Sequence, residues 1–162
     1  MHRALVLLVV VALALTAPDA AGATDALWEL LRAGGQVVVM RHAATDRSIG
    51  DPPNFRLDDC ATQRNLADAG REEARRVGAA FRGRAIPIGR VLSSQWCRCL
   101  EPARTREVRA LVSARPERGN LVLVTHQFNI GALTGVYPAE GELLVLTPLA
   151  NGEFRVAGRM KP

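Results

Sequence analysis

The chain has 162 residues, of which 48% are hydrophobic, 23% charged and 4% aromatic. That is the length of one domain, and 14 Gly with 9 Pro is close to globular averages, which excludes a disordered, collagen-like or coiled-coil chain. The formal charge is +5, but Lys161 is the lone lysine and the arginines alternate with acids. A nucleic-acid footprint needs a clustered basic stripe, so no nucleic-acid partner is expected.

The first segment reads as separate from the fold. Met1-His2-Arg3 carries one fixed positive charge, and from Ala4 to Ala17 the chain is apolar except for Thr16. Pro18 and Asp19 end that run, and Ala21-Gly22-Ala23 supplies an A-x-A cleavage site. A charged start, a short apolar core and small residues at the exit describe a secretory signal peptide over residues 1–23. The alternative is an uncleaved anchor, for which the run is shorter than the ~20 residues of a spanning helix. The expectation is a single domain over residues 24–162, periplasmic or secreted after cleavage and not stably inserted in a membrane.

Asp25 to Arg32 then reads as a short amphipathic helix, with Leu27, Leu30 and Leu31 inward and Gly34-Gly35 as its stop. Gln36 to Met40 holds Val37-Val38-Val39, an apolar run of the kind found in a buried parallel strand. Arg41 to Asn65 is a long polar loop with Gly50, Pro52 and Pro53, and such loops are usually functional or mobile. Leu66, Gly70, Ala74, Val77 and Phe81 recur at helical spacing and predict a helix from about Asp68 to Phe81. Pro87 breaks the chain before Val91-Leu92, read as a second buried strand ending in Ser93-Ser94. Gln95 to Leu100 suits a helix start. Pro102 either follows that helix or opens a new one, with Val108, Leu111 and Val112 inward and Pro116 and Gly119 as its end.

Leu121 to Val124 is the third strand, followed by Thr125-His126 and a short helix through Ile130 and Leu133. Leu143 to Leu146 is the fourth, and the turn signal Asn151-Gly152 returns Phe154-Arg155-Val156 as an edge strand. Strands alternating with helices give an α/β fold with a mainly parallel sheet flanked by helices.

An oxidising compartment permits a disulfide. Cys97 and Cys99 fall on one helical stretch, where residues two apart point away from each other. The bridge is therefore Cys60 with Cys97 or with Cys99, leaving one thiol over. C-x-C is not the C-x₂-C of a zinc site and no H-x₃₋₅-H follows, so no metal is expected.

In such sheets ligands bind beyond the carboxyl ends of the strands. Arg41-His42 follows the first strand, Ser93-Ser94 and then Arg98 the second, and Thr125-His126 the third. An arginine fork matches two phosphate oxygens at once. A helix starting after a strand offers free N–H groups to the same anion. A neutral imidazole nitrogen can attack phosphorus, and a protonated second histidine can stabilise the charge that gathers on the oxygens. Each residue also has a plainer role: a hydrogen-bonded structural histidine, Arg98 paired with Asp58 or Asp59, Ser94 as a helix cap. The combination at three strand ends is what points to phosphate.

Val39-Met40-Arg41-His42-Ala43 resembles the R-H-G signature of the histidine phosphatase superfamily, also called phosphoglycerate mutase-like, with Ala43 in place of the usual Gly. Leu66-Ala67-Asp68-Ala69-Gly70 with Ala74 is similar to its L-T-x-x-G-x-x-Q-A block, Ser94 to Arg98 to its S-x-x-x-R block, and Val122 to His126 to the block of its second histidine. The resemblance implies a three-layer phosphoglycerate mutase-like sandwich and a small exported phosphatase of phosphomonoesters that needs no cofactor or metal. It makes His42 the nucleophile and places Arg41, Arg98, His126 and Ser94 around the phosphoryl group of a small phosphorylated substrate.

The sequence departs from the family in three respects. Pro102 stands where the family has Thr, and only about 27 residues separate Arg98 from His126. Larger members use that interval for an extra edge strand and a general-acid Glu, both expected to be missing here. Asp46 is then the first candidate for the proton donor, followed by Asp58, Asp59 and Glu140. Without a donor, sugar phosphates would react slowly while anhydrides, phosphohistidine or aryl phosphates would still turn over, general acid help being worth about 10²–10⁴ in rate. The alternative is a catalytically impaired relative acting as a phosphate-binding module. Arg47, Arg56 and Arg64 on the long loop are either readers of a second anionic group or plain surface charge.

Overall fold

Alanines have the highest helix propensity, and Ala20, Ala21 and Ala23 lead directly into the amphipathic stretch. Helix α1 accordingly spans Ala20–Ala33 and starts before Asp25, where the apolar pattern alone would begin it. The structure is a computed structural model and describes residues 20–96 and 116–162. Most of the expected signal peptide lies outside the described residues, as do Cys97, Arg98, Cys99, Pro102 and the expected helix carrying Val108, Leu111 and Val112.

Among the described residues five strands form one sheet. The central strand β1 (Val37–Arg41) pairs in parallel with β3 (Asn120–Thr125), and β3 in parallel with the edge strand β2 (Ile88–Ser93). On its other side β1 pairs antiparallel with β4 (Leu143–Pro148), which pairs antiparallel with β5 (Phe154–Met160). The order is β2-β3-β1-β4-β5. The turn at Gly152, φ +76°, closes the β4–β5 hairpin where Asn151-Gly152 predicts it.

Successive strand residues face opposite sides of a sheet, and β1 supplies two cores. Val38 and Met40 pack with Leu27, Trp28 and Leu31 of α1 and with Phe81 of helix α2 (Asp68–Gly83). Val37 and Val39 pack on the other face with Ile130 and Leu133 of helix α3 (Gln127–Thr134). This is the expected α/β three-layer sandwich. The second strand is where expectation and structure part: β2 is not buried, and Val91 is 62% exposed. As an edge strand it has one neighbour, and its apolar pair covers less core than the central strands do.

Buried polar contacts fix the frame. At the amino ends of the strands Asn120 is fully buried. Its amide donates to the Leu31 carbonyl at 2.7 Å and the Pro87 carbonyl at 2.8 Å, and its Oδ1 accepts from the Gln36 backbone at 3.1 Å. At the carboxyl ends α2 presses on the backbone that follows β1. A Cβ on Gly70 would fall 2.0 Å from the Ala44 carbonyl oxygen, so glycine permits the approach.

Candidate active site

The carboxyl end of β1 positions His42. The His42 backbone N–H donates to Thr125 O at 3.0 Å, and its carbonyl accepts from Gly141 at 3.3 Å, so it is held on both sides. Its ring is buried, with Nδ1 2.8 Å from the Ala43 carbonyl oxygen. A carbonyl only accepts, so Nδ1 carries a proton, and in the neutral ring the lone pair is therefore on Nε2. The next residue is fixed as well: Ala44 N–H donates to Glu73 Oε2 at 3.1 Å, and Glu73 Oε1 meets Lys161 Nζ at 2.6 Å.

His126 follows β3 and stands at the N-cap position of α3. Its ring meets that of His42 edge-on, with centroids 5.3 Å apart. On the α2 side of His42 lies a cavity of about 460 Å³ with largely apolar walls, Leu66, Val77, Phe81 and Val122 among them.

Arg41 donates through Nη1 to the Pro138 carbonyl at 3.1 Å, and its Nη2 is 3.6 Å from Glu140 Oε1. Its Nε is buried with no hydrogen-bond partner, as are Ser94 Oγ and Arg64 Nε. Buried donors are almost always paired, so Arg41 Nε and Ser94 Oγ, which stand at the strand ends, have capacity left for an anion. Arg47 Nη2 reaches Glu140 Oε2 at 2.7 Å. Burial raises the Glu140 carboxyl, but the Arg47 hydrogen bond and the charges of Arg47, Arg41 and His42 outweigh burial and hold it below its ordinary value. Among the described residues no group of three or more His, Cys, Asp or Glu could hold a metal ion. A lone-pair imidazole nitrogen, a second imidazole and buried unpaired donors together suit nucleophilic chemistry on an oxyanion.

No protein-family model matches the sequence, and no curated protein matches it. Solved structures do. The protein histidine phosphatase SixA, complexed with tungstate, superposes with a TM-score of 0.56 at 18% identity, over 78% of this chain and 97% of that one. Proteins assigned as phosphohistidine phosphatase SixA from Agrobacterium tumefaciens (TM-score 0.52, 20% identity, 80% of this chain and 99% of that one) and from Nakamurella multipartitia (0.53, 19%, 80% and 96%) are similar in the same way. The chain has the histidine phosphatase fold. SixA phosphatases belong to the histidine phosphatase superfamily.

Within that fold Arg41, His42, Ser94 and His126 stand at the carboxyl edge of the parallel strands, while Arg98 lies outside the described residues. Asp46 is exposed on the long loop, where its Oδ1 accepts from the Ser48 hydroxyl at 2.6 Å and the Ser48 backbone at 2.9 Å. Those two bonds hold its carboxyl below its ordinary value. Asp58 pairs with Arg56, and Asp59 caps the 3-10 turn Cys60–Thr62, so both organise the loop. Cys60 is disulfide-bonded.

Sequence reasoning passed over Glu73 and ranked Glu140 last. Glu73 lies three residues after Gly70 on the inner stripe of α2, and an acid on an apolar stripe is a readable signal. Glu140 gives no such sign, because its partners lie about a hundred residues away in the chain.

Proposed function

We propose that the protein is a phosphatase of the histidine type, transferring a phosphoryl group from a small phosphomonoester to His42 and then to water. The observation that carries this is the pair of strand-end histidines, His42 with its Nδ1 committed to Ala43 and its ring edge-on to His126. The structural likeness to SixA, one example of which holds the tetrahedral oxyanion tungstate, supports the same reading.

His42 Nε2 attacks phosphorus and forms the N–P bond. The P–O bond to the leaving group breaks, and that oxygen takes the electron pair and a proton. Water then attacks phosphorus and gives a proton back to the group that protonated the leaving oxygen, the N–P bond breaks, and its electron pair returns to Nε2. Arg41 through its unpaired Nε, Ser94 through Oγ, Arg98 and His126 hold the phosphoryl oxygens, where hydrogen bonds stabilise the charge that develops.

Two carboxylates are candidates for the proton. Asp46 leaves His42 on the same loop. Glu140 sits at the arginine clamp, and the N–H of its neighbour Gly141 is bonded to the His42 carbonyl. Phosphate binding would offset the cations that keep Glu140 ionised and leave burial to favour its protonated form.

The test is turnover of p-nitrophenyl phosphate and of a sugar phosphate by the purified protein, with His42→Ala as control. Turnover lost in the variant is the expected result. Cleavage of the sugar phosphate as well requires a donor, and the slower of Asp46→Asn and Glu140→Gln identifies it. Phosphate raising the melting temperature without any turnover would instead establish a phosphate-binding module.

Export belongs to the same proposal. The residues of α1 that enter the core, Leu27, Trp28 and Leu31, all follow Thr24, while Ala21, Gly22 and Ala23 are exposed. Cleavage before Thr24 would leave the core intact, and the Cys60 disulfide suits an oxidising compartment. Mass spectrometry of protein recovered outside the cytoplasm should show a chain starting near Thr24; a full-length chain would overturn the cleavage.

A further inference from the structure

Four rings make successive contacts at the carboxyl edge of the sheet. His42 meets His126 edge-on at 5.3 Å, His126 meets Trp96 edge-on at 6.4 Å, and Trp96 lies against Phe55 at 4.4 Å with the planes 32° apart. The series runs from a buried nucleophile to Phe55, which is 37% exposed. Its outer two rings come from separate segments, Phe55 from the loop after β1 and Trp96 from the turn after β2.

The loop that presents Phe55 is built rather than slack. Phe55 N–H donates to Pro52 O at 3.2 Å, Arg56 N–H to Thr62 Oγ1 at 2.7 Å, and Gln63 Nε2 to the Arg56 carbonyl at 2.7 Å. The charge nearest in sequence, Arg56, is paired with Asp58, and the disulfide at Cys60 ties the loop down. An isolated exposed Phe is ordinary. Phe55 is different: it is held by its own loop at the outer end of a ring array that leads to His42.

We propose that Phe55 and Trp96 form the wall for the leaving group and select phosphate esters of aromatic alcohols. This rests on the phosphatase reading and deepens it by naming the substrate class. A flat unsaturated ring can stack on or meet edge-on an aromatic side chain, and such aromatic pairs gain free energy beyond the area they bury, which a small alkyl group does not. Stacking one ring on an aromatic side chain strengthens binding by roughly ten- to a hundredfold.

Phosphonates test this without interference from leaving-group reactivity, since their P–C bond is not cleaved. Inhibition or binding constants would be measured on the full chain for inorganic phosphate, methylphosphonate and phenylphosphonate. Phenylphosphonate is expected to bind at least about tenfold more tightly than methylphosphonate. Phe55→Ala should bring the two within about threefold, leave inorganic phosphate unchanged, and keep the melting temperature close to that of the parent. Phe55→Trp should retain the preference. Equal binding of the two phosphonates by the parent, or a preference untouched by Phe55→Ala, would overturn the inference while leaving the phosphatase reading standing. Failure of inorganic phosphate itself to bind would remove both.

Discussion

Glu140 stands among cations at the site, 3.6 Å from Arg41 and 2.7 Å from Arg47. On the proposed reading, a phosphate dianion entering the site would compete with it for Arg41. Replacing it by the neutral isostere, Glu140→Gln, should tighten inorganic phosphate by about tenfold, equivalent to ~1.4 kcal/mol, as isothermal titration would show. The same carboxylate makes a pH prediction. Its value is lowered in the folded protein, so its contribution to stability is complete above the ordinary carboxylate range and is lost as pH falls through the lowered value. Acid should therefore lower the melting temperature of the parent more steeply than that of Glu140→Gln; parallel curves would remove the ion pairs from the account.

At the scale of elements, the strands divide structural work from chemical work. Asn120 clasps α1, β1 and the start of β2 at the amino ends, far from the histidines. Asn120→Ala leaves the Gln36 N–H without its acceptor and removes one of two hydrogen bonds from each of the Leu31 and Pro87 carbonyls, and should cost about 1–3 kcal/mol in urea unfolding, with phosphate affinity preserved once folded. The central strands were legible as apolar runs: Val37-Val38-Val39, Leu121 to Val124 and Leu143 to Leu146 are where the pattern puts them. The Asn151-Gly152 turn and both strand-end histidines were equally readable. What the sequence concealed was contact at long range. Asn120 reads as an ordinary polar residue before a strand until Leu31 and Pro87 are seen beside it. Val91-Leu92 looks as buried as the other apolar pairs, because nothing local reports that β2 is an edge. In α1, the alanines that extend the helix are the same small residues that signal a cleavage site, so one composition serves two readings.

Across the whole molecule, the long loop after β1 adds no residue to the two apolar clusters of the described residues and is secured by its turns and by Cys60. A disulfide contributes about 2–4 kcal/mol, chiefly by restricting the unfolded chain. Reductant should lower the urea midpoint of the protein accordingly; an unchanged midpoint would mean that the loop is held by its hydrogen bonds alone. The reversed course of β4 has a different consequence. Because β4 runs against β1, the segment that enters it, Pro138 to Glu142, arrives at the edge where the parallel strands leave their histidines. The groups proposed to attack and clamp thus come from strand exits, whereas Glu140 comes from an entrance, on a stretch bonded through backbone atoms to Arg41 (Arg41 N–H to Glu142 O) and His42 (Gly141 N–H to His42 O) and through the Arg41 side chain to Pro138 and Glu140. Backbone bonds do not depend on which side chain is present. A change of residue at this entrance can alter the acidity and charge of the site while the nucleophile keeps its place, which makes it the position through which such a site is most readily retuned.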